Sequence, residues 1–111
     1  MGTFDREVGA LIAMASVTGT DGTATLNRGF NAITRTGAGV YTLQYDNLGS
    51  GASPLALADN ETVVKVQPKG AAARIATTQH TSDTVTTVRI FDVTPTPADA
   101  DFDIMIFRRA N

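Results

Sequence analysis

The sequence predicts an all-β domain, an antiparallel β-sandwich or jelly-roll-like barrel of about seven or eight short strands. Three observations carry that expectation. Short segments rich in Val, Ile, Thr, Tyr and Phe recur along the chain. Gly, Asn, Asp and Pro separate them at short intervals. Only Val8–Met14 is long and Ala-rich enough to pass as helix, and its β-branched neighbours favour a strand.

The elements follow in order. Val8–Val17 is the first strand, and Asp21-Gly22 in the turn behind it is a hairpin signal. Ala24–Phe30 is a second short strand. Ala32–Thr36 and Val40–Tyr45 flank Gly37–Gly39, a spacing that fits a three-residue hairpin loop with a glycine at positive φ. In Val40–Tyr45, Tyr41, Leu43 and Tyr45 share one face while Thr42 and Gln44 share the other, the alternation of a half-buried strand. Asp46–Glu61 is the longest interruption, a loop with an edge-like piece at Leu55–Leu57. Thr62–Gln67 is a strand stopped by Pro68-Lys69-Gly70, and Ala72–Gln79 is its partner. Asp83–Val93 and Phe102–Phe107 complete the set on either side of "TPTPAD". The whole is one domain, with 1–31 as an N-terminal strand pair or arm and 32–111 as the sandwich core.

Composition narrows the function. A chain of 111 residues suits one domain with one modest core. With no cysteine there is neither a disulfide nor a thiolate metal site. A net charge of −2 is far from the basic stripe a general nucleic-acid binder needs. The charged fraction is only 18%, and Thr, Ala, Ser and Gly take the place of Lys and Glu. Such a composition suits a surface occupied by other subunits. No stretch approaches the roughly 20 apolar residues of a membrane helix. Val8–Val17 is a poor signal peptide, because the segment before it is acidic and its apolar run is short. Arg6 stands where myristoylation wants Ser or Thr.

The inventory for catalysis is thin. His80 is the only histidine, placed by its neighbours in a turn, and Ser82 and Asp83 lie too close to it in sequence to complete a triad. A single histidine rules out a multi-histidine zinc site. "QPKGAAAR" shares only a Lys-Gly pair with phosphate loops. Asp99, Asp101 and Asp103 alternate like the first donors of a calcium loop. Counting from Asp99, the sixth position is Ile104 rather than Gly and the twelfth is Ala110 rather than a carboxylate. The expected reading is a solvated acidic approach to the last strand, with no catalytic residue, no metal and no cofactor.

That last strand is apolar on both sides. Phe102, Ile104 and Ile106 share one face, and Met105 and Phe107 share the other. A strand of this kind must be covered twice. The second cover is a loop, a neighbouring subunit or the Val8–Val17 segment.

The stretches "GAGVYTLQYD", "VVKVQPKGAAARIA", "TVRIFDV" and "PADADFDIMIF" together resemble a family of small β-domains from tailed-bacteriophage virions. These domains are capsid decoration (cement) proteins and the knobs of fibres and spikes. The resemblance spans roughly Gly37 to Phe107. It implies a non-enzymatic structural protein that assembles as a homotrimer and binds the major capsid protein on the outer surface of the virion. A chain opening at Met1, with little more than a strand pair before the matched region, is closer to a decoration protein than to a fibre knob. The alternative is a receptor-binding knob that takes a host surface glycan or receptor. No nucleic acid or membrane is expected as partner. The expected subunit interface is formed by Leu11, Ile12, Phe102, Ile104, Ile106 and Phe107, with Tyr41 and Tyr45 as aromatic anchors.

Overall fold

The computed structural model describes residues 10–45 and 62–108. The Leu55–Leu57 piece predicted above lies outside them. Eight strands are present among the described residues: β1 (Ala10–Val17), β2 (Ala24–Arg28), β3 (Phe30–Gly37), β4 (Val40–Tyr45), β5 (Thr62–Lys69), β6 (Ile75–Ser82), β7 (Val85–Phe91) and β8 (Asp101–Arg108). They form two four-stranded sheets, here sheet I in the order β2-β1-β8-β5 and sheet II in the order β3-β4-β7-β6. Every neighbouring pair is antiparallel. The fold is therefore the all-β sandwich that the strand spacing predicts. The predicted pairing of the fifth and sixth strands is corrected: β5 pairs with β8 and β6 with β7, so the chain crosses between sheets after Pro68-Lys69-Gly70.

Period-2 patterning sets which side chains meet between the sheets. Tyr41, Leu43 and Tyr45 of β4 are buried, as are Val88 and Ile90 of β7. Sheet I answers with Phe102, Ile104 and Ile106 of β8 and Ala13, Ala15 and Val17 of β1. Phe102 meets Tyr41 across the sandwich, with ring centroids 5.0 Å apart at 58°, a tilted arrangement that aromatic quadrupoles favour. The small inward residues of β1 leave depth for the bulky side chains of sheet II. Val64 and Val66 of β5 pack against this core from the edge.

The chain passes from sheet I to sheet II between β2 and β3 through Gly29 alone, at φ 93°. A Cβ there would stand 2.5 Å from the Ile12 carbonyl oxygen, so only glycine permits the corner to close on β1. This corner corrects a predicted boundary. Phe30 opens β3, with its ring in the core, and does not close β2.

β1 occupies an interior position in sheet I, hydrogen-bonded to β2 on one side and β8 on the other. From Ala10 onward it is a core strand, and with β2 it forms the strand pair of the two alternatives predicted for 1–31. Its placement also removes one of the proposed covers of β8. It lies beside β8 in the same sheet, so it does not cover the outer face of β8.

Candidate functional site

The outer face of sheet I is built by alternation. Residues opposite the core set on β8 are Asp101, Asp103, Met105 and Phe107, and cross-strand register places neighbours beside each. Asp103 is flanked by Ser16 and Gln67, Met105 by Met14 and Lys65, and Phe107 by Leu11 and Val63. On β2, Arg28 stands beside Met14 and Leu26 beside Ser16. A bulge between Leu11 and Ala13 keeps Leu11 on this face while Ile12 packs towards the core. Large hydrophobic side chains are thus left in solvent. Val63 is 54% exposed, Leu11 45% and Met105 36%. Exposed apolar groups concentrated on one sheet face mark an interaction surface more than scattered ones do.

The face divides along the strands. One end is apolar. The other is polar and internally satisfied, because the Asp103 carboxylate accepts from Ser16 Oγ at 2.7 Å and pairs with Lys69 Nζ at 2.9 Å. These contacts, Ser16 first, hold the Asp103 pKa below the usual carboxylate value.

The three aspartates of the β8 approach are brought close but not together. Asp99 turns to sheet II, where Arg35 pairs with it at 2.8 Å and the Gly39 amide donates to it at 2.8 Å. Asp101 accepts from the Gly19 amide at 2.8 Å in the β1–β2 turn. Asp103 engages β1 and β5, as above. The prediction of a merely solvated approach is corrected: each carboxylate fastens β8 to a different part of the sandwich. Among the described residues, no group of three or more His, Asp or Glu side chains is arranged to hold a metal ion.

His80 is corrected as well. It lies inside β6 rather than in a turn, paired with Thr86 of β7, and its side chain is only 13% exposed. The ring lines a polar hollow of about 140 Å³ between β5 and β6, together with Thr62, Val64, Thr78 and Thr86. Nε2 stands 3.5 Å from Asp83 Oδ1, at the outer limit of a hydrogen bond, and the buried Nδ1 has no partner among the described residues. Ser82 Oγ contacts Thr84, not the imidazole.

No protein-family model, curated protein or solved structure matches the chain.

The predicted interface residues separate by face. Tyr41, Tyr45, Phe102, Ile104 and Ile106 are at most 1% exposed within a single chain. They belong to the chain's own core, and a partner would reach them only by opening the sandwich. The physical reason is pairing across the two sheets: β4 and β8 spend their larger side chains on each other. Leu11 and Phe107 remain on the outer face of sheet I, and Ile12 is half-buried beside them. The predicted residues do not include Val63, which joins this patch through its register with Phe107 of β8, a long-range pairing that no local signal shows. Leu26 stands by register beside Ser16, at the polar end of the face.

Proposed function

We propose that the protein is a structural component of a tailed-bacteriophage virion, a homotrimeric capsid decoration protein that binds the outer shell and reinforces it without chemistry. The reading rests on the resemblance of the strands from Gly37 to Phe107. One structural observation carries it further. The second apolar face of β8 is not covered by β1, and among the described residues nothing else lies over it. A rigid sandwich with one such face is suited to docking. Repetition over a symmetric shell multiplies weak contacts into avidity.

Cosedimentation with purified expanded capsids tests the proposal, with saturation at a fixed number of copies per capsomer as the expected result. Light scattering should give the mass of a trimer; a monomer at micromolar concentration would remove the trimer from the reading. Binding to host cells in place of capsids would replace decoration by receptor recognition.

A further inference from the structure

We propose that the outer face of sheet I docks an apolar, carboxylate-bearing segment of a different protein, and not a second copy of this chain. The inference deepens the decoration reading and rests on it for the partner's setting.

The argument starts from one cross-sheet row. Register places Arg28 beside Met14, Met14 beside Met105, and Met105 beside Lys65. The row therefore reads cation, methionine, methionine, cation across all four strands of the sheet. With strands about 4.8 Å apart, its ends lie roughly 14 Å from each other. Two hollows flank its centre. One, of about 220 Å³, is lined by Met105, Lys65, Val66, Gln67 and Asp103, and the other, of about 230 Å³, by Met14, Arg28, Leu11, Ile12 and Ala13. Each hollow thus holds one cation, the first together with the Asp103 carboxylate.

Among the described residues, neither cation is in an ion pair. The carboxylates of this face among the described residues are Asp101 and Asp103; Asp103 borders the hollow of Lys65 and Met105, but both are already engaged, by Gly19, Ser16 and Lys69. Arg28 and Lys65 are thus open to an external acid next to surface that needs covering. A second copy laid over the same apolar end would bring four cations together, and like charges across an interface are penalised. Methionine side chains reshape around differing partners. An extended segment rises about 3.3 Å per residue. Carboxylates at positions i and i+4, with an apolar residue at i+2 on the same side, match the row.

The test uses a defined probe, the capped peptide Glu-Thr-Leu-Thr-Glu, titrated into isotopically labelled full-length protein. Amide shifts should appear at Met14, Arg28, Lys65 and Met105. Lys65→Glu with Arg28→Glu should weaken binding about tenfold, and the neutral pair Lys65→Gln with Arg28→Gln should fall between. Absence of shifts, shifts on another face, or equal binding of Lys-Thr-Leu-Thr-Lys would overturn the proposal. Light scattering of the charge-reversed protein should give an unchanged mass; dissociation would assign the face to self-assembly and also overturn it. Capsid binding is measured in parallel. Equal capsid binding by wild type and charge-reversed protein overturns this inference and leaves decoration standing. Peptide mapping as expected, with no capsid binding by wild type, supports the inference and removes decoration.

Discussion

Arg35 and Asp99, 64 positions apart in sequence, close the end of the sandwich on each other. Arg35 Nη2 stands 2.8 Å from Asp99 Oδ2, while Nε lies 3.1 Å from both carboxylate oxygens. The pair joins β3 of sheet II to the segment leading into β8 of sheet I. Gly39 adds a backbone donor to the same carboxylate. These contacts, Arg35 first, hold the Asp99 pKa below its ordinary value of 3.8. A folded-state pKa below the unfolded one means that the native state resists protonation. The stabilisation is whole above pH 3.8 and drains away as pH falls through the depressed value. Asp99→Asn should lower the urea midpoint at neutral pH, and its difference from wild type should shrink as the pH is taken below that range. A constant difference across the titration would show that the charge of Asp99 contributes nothing.

The Tyr41 hydroxyl is the buried neighbour of that pair. Its proton is shared between the Gly19 carbonyl oxygen at 2.7 Å and Asp99 Oδ1 at 3.1 Å. Burial first, and then the adjacent carboxylate, push its pKa from 10.0 up to about 12. Here the folded value lies above the unfolded one, so the contribution is complete below pH 10 and is lost as the pH rises towards 12. A tyrosinate absorbance titration in a Tyr45→Phe background should show Tyr41 ionising near 12 in the folded state. Tyr41→Phe leaves a buried acceptor without its donor and should cost about 2 kcal/mol in urea unfolding.

The "GAG" turn separates two glycines that look equivalent in the sequence. Gly39 has φ 67°, and a Cβ on it would stand 2.4 Å from the Ile90 carbonyl oxygen. Gly37 has neither constraint, with nothing within 4 Å of its would-be Cβ. Gly39→Ala should therefore destabilise by about 2 kcal/mol or more, through strain at positive φ and a backbone clash. Gly37→Ala should remain within about 0.5 kcal/mol of wild type. Thermal unfolding of the two variants side by side checks the assignment.

What the sequence made legible was the local alphabet. Alternation in "VYTLQY" named Tyr41, Leu43 and Tyr45 as one buried face, and "GAG" did hold a positive-φ glycine. Long-range pairing was not legible in the same way. No local signal distinguishes β1 lying beside β8 from β1 lying over it, yet that choice decides whether Met105 and Phe107 are covered. His80 was misplaced because "QHTSD" is polar and turn-rich, whereas pairing with β7 extends β6 through Ser82. The aspartate series misled for a related reason. Its partners, Arg35, Gly19 and Ser16, lie far away in the chain and converge only when the two sheets close.

Ile104 and Met105 test this division of faces on consecutive residues of β8. Ile104 is 1% exposed and belongs to the core, whereas Met105 points to the outer face. Ile104→Ala should cost about 2–5 kcal/mol, the lost transfer free energy plus a cavity between well-packed sheets. Met105→Ala should cost less than about 1 kcal/mol in the isolated protein, because its surroundings are already half open to water. Function should respond in the opposite order. Met105→Glu should leave the unfolding transition nearly unchanged while weakening capsid binding, since it puts a charge at the centre of the proposed docking row. Ile104→Asp should unfold the protomer itself, because an unpaired carboxylate cannot be solvated between the sheets. Urea unfolding with capsid cosedimentation separates the two effects. If Met105→Glu unfolded the chain as readily as Ile104→Asp, the outer face of β8 would be a second core surface rather than a docking one.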